Sequence, residues 1–222
     1  MKQNTMNALE RCPLFEGMDA TDISLALEQS GCKTVRLVKR DTYCLSGELC
    51  RHADIVTSGE LVARMTGMSG RQVEVIRIRP GDIIAPCFIF STDRRLPVEI
   101  DTASDVELLR MSPEALATLT DTYPTIRRNF IRTLSDISSY LASKIGFLSL
   151  MTVREKVVYF LRTEAAAQRS MRLRLDLSRQ RIADSFAIQK FSLLRCLASL
   201  ADDGIIRIDG KEIEITDIRR LK

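Results

Sequence analysis

The feature that most constrains this chain is a pair of helical patterns, residues 177–201, that runs directly into a hairpin pattern. The hydroxyl of Ser178 can cap the first helix by accepting a hydrogen bond from a free backbone N–H of the first turn. A short break at Ala187-Ile188 separates the two helices. The apolar face expected for the first helix consists of Ile182, Ala183 and Phe186. The apolar face expected for the second consists of Leu193, Leu194, Leu197 and Leu200.

A glycine and a hairpin signal follow the second helix. Gly204 stands where a left-handed residue ends a helix. Asp209-Gly210 is a strong signal for a two-residue hairpin turn, and isoleucines alternate with polar residues on both sides of it. These isoleucines are Ile206, Ile208, Ile213 and Ile215. Helix, turn, helix and wing is the arrangement that places a short helix in the major groove of DNA, so the pattern predicts a DNA-binding module.

The distribution of charge supports this prediction. Residues 150–222 hold 15 Lys and Arg against 10 Asp and Glu, whereas residues 1–149 hold 18 against 19. The net charge of +4 is therefore carried by the C-terminal third of the chain, as a module that faces phosphates requires.

Composition excludes several other classes of protein. The sequence contains no apolar run of 18 residues, so no transmembrane helix is predicted. The N-terminus lacks the apolar core of a signal peptide. The six cysteines are scattered and are interpreted as reduced thiols of a cytoplasmic protein. The chain has a single histidine, no Gly-x-Ser-x-Gly elbow and no phosphate-binding glycine loop, so we do not expect an enzyme. Because no transmembrane helix is predicted, we do not expect a membrane partner either.

The first 110 residues have the pattern of an antiparallel β domain. Short alternating runs, among them Leu61–Met65 and Gln72–Ile78, are separated by glycine turns at intervals of 8–12 residues. Gly67 and Ser69-Gly70 mark a hairpin loop between these two runs. The other expected strands lie at residues 35–38, 55–56, 83–84 and 106–109. A helix over residues 22–29, with Thr21 as its cap, precedes the strands.

A long helical pattern joins the two halves of the chain. Its apolar residues recur at steps of three and four, which is the spacing of a coiled-coil seam, and Pro124 suits the first turn. The seam is predicted to pair with its copy in a homodimer that binds a palindromic DNA site; the alternative is a helix packed on its own sheet. The seam consists of Ile126, Phe130, Leu134, Ile137, Leu141, Ile145 and Leu148.

Over nearly its whole length the chain resembles the Crp/Fnr family of transcription regulators. The resemblance rests on Pro13-Leu14-Phe15, Ser58-Gly59-Glu60-Leu61, Pro80-Gly81-Asp82-Ile83-Ile84, a long helix that ends in Phe147-Leu148, and the winged helix. It implies an α+β fold with an N-terminal antiparallel β-roll, a double-stranded β-helix like that of cyclic-nucleotide-binding domains. It further implies contact with RNA polymerase. The implied segments are a sensor domain at 1–120, a dimerisation helix at 121–149 and a winged helix-turn-helix domain at 150–222.

The chain departs from the members of that family that bind cyclic nucleotides. Those members hold the ribose through the carboxylate of a Gly-Glu-Leu segment and the cyclic phosphate through an Arg-Ser-Ala segment. Here Ala85-Pro86-Cys87 stands at the first segment, and Pro86 has neither a carboxylate nor an N–H. At the second, residues 94–98 keep an arginine without the Ser-Ala pair. The resemblance therefore implies that cyclic AMP is not the ligand.

The same two segments are similar to those of an HcpR-like subgroup from anaerobic bacteria that is associated with nitrosative or oxidative stress. An effector pocket is expected where family members bind their ligands. The expected pocket residues are Ile84, Ala85, Cys87, Phe88, Arg94, Leu96, Pro97, Ser138 and Ser139.

Cofactor candidates follow from the cysteines, methionines and the histidine. An iron–sulfur cluster needs three closely spaced N-terminal cysteines and a fourth, and only Cys12 lies in that region. Cys44, Cys50 and His52 are interpreted as core and loop residues rather than as a zinc site, so no metal site is predicted. Haem stays open, and the subgroup resemblance favours a haem-based nitric oxide sensor. The axial ligand candidates are His52, Met65, Met68 and the cysteines.

The resemblance also implies which residues read DNA. Family members usually carry Arg, Glu and Arg where this chain has Lys190, Phe191 and Arg195. Arg195 keeps the donors that grip guanine, whereas Phe191 either touches a thymine methyl or turns inward as packing. Arg179 and Arg181 are expected to contact phosphates. The predicted DNA-binding residues are Ser178, Arg179, Arg181, Lys190, Phe191, Ser192 and Arg195.

The sequence thus favours a homodimeric transcription regulator that binds a specific double-stranded DNA site and is controlled by its sensor domain. A regulator that responds to a cyclic nucleotide or another small molecule is one alternative. A constitutive DNA-binding module without a ligand is another.

Overall fold

The computed structural model describes residues 3–67 and 72–221. These form two compact units, Met1–Ser139 and Tyr140–Lys222, and the border between them falls within one long helix, Pro124–Leu150 (α5). The predicted hairpin loop at Ser69-Gly70 lies outside the described residues. The three-segment division at residues 120 and 149 stays a prediction.

The first unit combines short strands with flanking helices. Its helices are Gln3–Glu10 (α1), Ala20–Gln29 (α2), Pro86–Ile89 (α3) and Pro113–Thr122 (α4), with a 3-10 turn at Pro13–Phe15. Its strands are Lys33–Leu37 (β1), Thr42–Cys44 (β2), Ala53–Ser58 (β3), Leu61–Thr66 (β4), Gln72–Ile78 (β5), Glu99–Thr102 (β6) and Val106–Met111 (β7).

These strands form two antiparallel sheets, in the orders β1-β7-β3 and β2-β6-β4-β5. Because β7 lies between β1 and β3, Leu108 is opposite both Val35 and Val56. Apolar side chains from both sheets, from α1 and α2 and from the start of α5 share one buried core. The predicted antiparallel β-roll is confirmed.

Two local predictions in this unit are wrong. Asp19 rather than Thr21 caps α2, because its carboxylate accepts hydrogen bonds from the N–H groups of both Thr21 and Asp22, at 2.9 and 2.8 Å. Ile83-Ile84 forms no strand of its own; Ile83 makes a single bridge to Ile55 of β3.

The turn between β3 and β4 requires glycine. Gly59 has φ +81°, and a Cβ at this position would lie 2.1 Å from the carbonyl oxygen of Asp105. A side chain would therefore force the β3–β4 turn away from the segment before β7. This steric requirement accounts for the glycine in Ser58-Gly59-Glu60-Leu61.

Helix α5 carries the predicted dimerisation seam, and the structure divides that seam into two parts. Ile126 is fully buried and Phe130 is 6% exposed in the core of the first unit, where Phe130 meets Phe90 edge-on at 5.7 Å. The dimerisation prediction is wrong for Ile126 and Phe130, because α5 uses its first turns to pack on its own β-roll. The remaining seam residues are half-buried or exposed: Leu134, Ile137, Leu141, Ile145 and Leu148.

The second unit is built from helices and a small sheet in the strand order β8-β10-β9. Its further helices are Val153–Gln168 (α6), Arg179–Ser185 (α7) and Lys190–Asp202 (α8). Its strands are Arg172–Arg174 (β8), Ile206–Asp209 (β9) and Glu212–Ile215 (β10). Thr152 and Glu155 form a capping box at the start of α6, which satisfies free N–H groups of the first turn.

The predicted helix stop and hairpin are confirmed, with one shift. Gly204 has φ +68°, as a residue that ends a helix requires. Asp209 pairs with Glu212, so the two turn residues are Gly210-Lys211 rather than Asp209-Gly210. Gly210 takes the left-handed conformation, with φ +54°.

Candidate DNA-binding surface and sensor cavity

Helices α7 and α8 form the predicted helix-turn-helix. The hydroxyl of Ser178 accepts from the Arg181 N–H at 3.2 Å, which confirms the predicted cap. Ala187, in the connection between the helices, has φ +54°, a left-handed conformation typical of tight turns. The two helices are held by a shared core that contains Ile182, Ala183, Leu193, Leu197 and Leu200.

The exposed face of α8 carries the predicted reading residues. Phe191 and Arg195 are four residues apart and lie opposite the buried leucine stripe. Phe191 is 69% exposed, so of the two alternatives for this side chain the structure excludes packing in the core. Lys190 is also exposed and Ser192 is half-buried. The surface of the second unit therefore carries two hydrogen-bond donors, Lys190 and Arg195, and the phenyl ring of Phe191.

Leu194 corrects one prediction for this helix. It was expected on the apolar face, yet its side chain is 42% exposed. The buried stripe follows Leu193, Leu197 and Leu200, and Leu194 lies one residue, about 100°, around the helix from Leu193. The stripe is thus narrower than the run of leucines suggests.

Arg179 connects α7 to the wing. Its Nη2 donates to the carbonyl of Gly210 in the hairpin turn at 3.2 Å. The side chain is half-buried, and burial lowers the pKa of its guanidinium. Arg179 thus positions the wing turn relative to α7, and Arg181 is exposed; the phosphate contacts predicted for both stay predictions.

Lys156 of α6 was not identified from the sequence. Its side chain is 6% exposed, and its Nζ donates to the carbonyls of Leu148 at 2.9 Å and Phe186 at 3.4 Å. It thereby connects the end of α5 with the end of α7. A lysine in an amphipathic helix normally indicates the solvent side, so no sequence signal distinguished this one.

The first unit contains a cavity of about 450 Å³, the size of a small-molecule site. Its wall comes from the segment around β2 and the loop after it, from the end of the loop before β6, and from β7. The lining residues are Tyr43, Cys44, Gly47, Glu48, Leu49, Cys50, Arg51, His52, Arg95, Leu96 and Arg110.

The expected effector pocket and this cavity coincide only in part. Of the expected residues, Leu96 lines the cavity. Ala85 has φ +49° and precedes α3, a helical turn in which Cys87 is exposed and Phe88 packs on the core. Arg94 donates from Nη2 to the Cys50 carbonyl at 2.6 Å and so supports the wall from behind. The others are buried (Ile84) or exposed (Pro97, Ser138 and Ser139).

A buried carboxylate behind the cavity holds two of its lining side chains. Asp54 is fully buried and accepts from Arg110 Nε at 3.0 Å and Nη2 at 2.6 Å, and from the Tyr43 hydroxyl at 3.0 Å. Hydrogen bonding to Asp54 raises the pKa of Arg110, and burial together with the Asp54 charge raises the pKa of Tyr43. Asp54 therefore orients both Tyr43 and Arg110, which line the cavity.

The proposed haem ligands are distributed unevenly about this cavity. His52 lines it, and burial together with the nearby Arg110 charge lowers the pKa of the imidazole. Cys44 and Cys50 also line it, and burial raises the pKa of Cys44 to about 12. Met65 is 47% exposed on β4, outside the lining, and Met68 lies outside the described residues. Within residues 3–67 and 72–221, no three His, Cys, Asp or Glu side chains cluster as a metal site.

The β-roll and the helix-turn-helix define a class of protein: a DNA-binding transcription regulator with an N-terminal β-roll domain. A family model described as the Crp-like helix-turn-helix domain matches residues 155–222, and one described as the cyclic nucleotide-binding domain matches residues 34–123. The chain belongs to the Crp/Fnr family of transcription regulators.

Relatives of known identity match over nearly the full length. The chain is 24% identical to a CRP-like cAMP-activated global transcriptional regulator of Mycobacterium tuberculosis, and the match covers 96% of each chain. The structure resembles the catabolite activator protein of Thermus thermophilus, with a TM-score of 0.58 and 20% identity over 94% of this chain and 96% of that one. It also resembles the c-di-GMP responsive global regulator CLP of Xanthomonas campestris, with a TM-score of 0.63 and 20% identity over 89% and 99%. Along the described part of the chain, no helix is long and apolar enough to cross a membrane.

Proposed function

We propose that this chain is a homodimeric regulator that reads a palindromic double-stranded DNA site with α8 and whose DNA affinity is set by a small molecule bound in the first unit. The observation that carries the proposal is the outward placement of Phe191 and Arg195 on the side of α8 opposite its buried stripe, with the exposed Lys190 at the start of the helix. Arg195 presents a planar pair of donors suited to guanine O6 and N7. We infer that it fixes one guanine in each half-site.

The second half of α5 supports a homodimer. Leu141 is 50% and Ile145 is 64% exposed, and because they are four residues apart they lie on the same side of the helix. An apolar stripe at steps of three and four on a helix otherwise rich in polar residues suits a copy of the same helix. A two-fold dimer would present two copies of α8 to half-sites about one helical turn apart.

The cavity lined by Tyr43, His52 and Arg110 is our candidate effector site. The relatives include a cAMP-activated regulator, yet the segment Ala85-Pro86-Cys87 of this chain turns into α3 and offers no carboxylate to a ribose. We therefore propose a ligand other than cyclic AMP. Haem, as part of a nitrosative or oxidative stress response, is the specific candidate; His52 or a cavity cysteine would bind the iron, which would supply nitric oxide binding.

The proposed regulator acts in the cytoplasm, where bacterial DNA lies. It acts there together with RNA polymerase.

Binding-site selection from random duplexes tests the core of the proposal. The wild-type protein should select a palindrome, and Arg195→Ala should lose preference at one base pair of each half-site. Ser199→Ala, an exposed change on the same helix, is the matched control and should select the wild-type sequence. Selection of no common motif by the wild-type protein would contradict the proposal.

A further inference from the structure

The exposed part of α8 is divided lengthwise into an apolar side and a polar side. Phe191, Leu194 and Ala198 follow one another at steps of three and four, so they lie along one side of the helix. Ser192, Arg195 and Ser199 lie along the adjacent side with the same spacing. Phe191 is 69% and Leu194 is 42% exposed. The large apolar side chains are therefore grouped beside Arg195 rather than scattered.

Core packing does not account for this grouping. The core of the second unit takes Leu193, Leu197 and Leu200 from α8, and Phe191 and Leu194 lie outside it. Exposed phenylalanine and leucine side chains on a helix gain stability only when another surface covers them. In the DNA complex proposed above, that surface is the floor of the major groove.

The C5-methyl group of thymine is the apolar group that base pairs present in the major groove. We propose that Phe191 and Leu194 form a methyl-reading surface that selects thymine next to the guanine contacted by Arg195. This inference rests on the proposed function and specifies the base that the apolar side of α8 recognises. Arg195 supplies hydrogen bonds for one base, and the phenyl ring and isobutyl group exclude water from the methyl group of a neighbouring base.

Removing a single methyl group tests the inference without changing the protein. Deoxyuridine pairs with adenine as thymine does and lacks only the C5 methyl, so duplexes of the selected site are made with deoxyuridine at each thymine in turn. Burial of one methyl group is worth about 0.8 kcal/mol, which corresponds to about a fourfold change in the dissociation constant. We expect about a fourfold loss of wild-type affinity per half-site at one or two thymine positions, and no loss at the others.

Protein variants identify the residues that read the methyl group. Phe191→Ala or Leu194→Ala should bind the thymine and deoxyuridine duplexes equally at the sensitive position, whereas Ser199→Ala should keep the fourfold difference. Both replaced side chains are exposed, so the variants should unfold at the wild-type temperature.

Each other outcome overturns the inference. Equal wild-type affinity for thymine and deoxyuridine at every position would remove the methyl reading while leaving sequence-specific binding intact. A difference that persists in both alanine variants would assign the methyl contact to other residues. Unchanged DNA affinity in the Phe191→Ala, Leu194→Ala double variant would show that the apolar side does not contribute to DNA binding. Failure to select any site would overturn the proposed function as well.

Discussion

Asp54 and Arg110 lie directly opposite each other on neighbouring strands β3 and β7, and the guanidinium of Arg110 donates twice to the fully buried carboxylate. The Tyr43 hydroxyl supplies a third donor. Tyr43 and Arg110 also line the cavity, so the Asp54 carboxylate orients two side chains of the candidate effector site.

Removing one partner of this pair should destabilise the first unit strongly. Arg110→Met leaves the Asp54 carboxylate buried without its main donor, and such changes cost about 3–5 kcal/mol. Chemical denaturation measures the change in the free energy of unfolding. Arg36→Met, which breaks the exposed pair between Arg36 and Glu107, is the control and should cost less than about 1 kcal/mol. Similar losses for both variants would mean that Asp54 does not depend on Arg110.

Lys156 should matter for the stability of the second unit. Lys156→Met keeps the length and apolar stem of the side chain but leaves the carbonyls of Leu148 and Phe186 without this donor. An unpaired buried polar group costs about 1–3 kcal/mol, so thermal unfolding should occur at a lower temperature. Lys144→Met changes a lysine on α5 whose ammonium lies over the Phe147 ring at 5.8 Å, and should have a smaller effect. Equal melting temperatures for the Lys156→Met variant and the wild type would contradict this role.

Charges on the exposed stripe of α5 should separate the proposed dimer. Each apolar side chain buried between two helices contributes about 1.5–3 kcal/mol, so the double change Leu141→Glu, Ile145→Glu should yield monomers that bind a palindromic site weakly. Light scattering measures the mass of the particle. Ser143→Glu places the same charge on another exposed side of α5 and should leave the dimer intact. A monomeric wild-type protein at micromolar concentration would contradict the dimer.

The two arginines of the helix-turn-helix should affect DNA binding in different ways. Arg195→Ala should cost about 1–3 kcal/mol on the selected site and little on unrelated DNA, because a base contact is lost. Arg181→Ala should weaken binding to all sequences alike and reduce the dependence on salt, because a phosphate contact is lost. Titrations of both duplexes at several salt concentrations distinguish the two patterns. A uniform loss for Arg195→Ala would contradict its role in reading a base.

Cyclic AMP should not bind at micromolar concentration. Pro86 offers no carboxylate to the ribose, and unmet polar contacts typically cost at least about 1 kcal/mol each. Calorimetry with cyclic AMP measures the affinity directly, and the cAMP-activated regulator of Mycobacterium tuberculosis serves as the positive control. A micromolar dissociation constant for this chain would refute the prediction and favour the cyclic-nucleotide alternative.

Local signals in the sequence were sufficient for much of the second unit. Ser178 caps α7, Gly204 ends α8, and the Asp209-Gly210 region turns a hairpin, because caps, left-handed residues and tight turns depend on a few consecutive residues. The alternating runs likewise predicted the longer strands of the β-roll, whereas β2 and β6 have only three and four residues and gave too short a pattern to identify.

What only the tertiary structure decided is which surface covers each apolar face. The periodicity of α5 showed an apolar seam but not that Ile126 and Phe130 would pack on their own β-roll while Leu141 and Ile145 remain exposed. The run of leucines in α8 did not show that Leu194 lies outside the buried stripe. Periodicity shows which side of a helix or strand is apolar. It does not show which residues pack on that side, because those residues are far away in the sequence. The pairing of Asp54 with Arg110, 56 residues later, is decided by strand order in the same way.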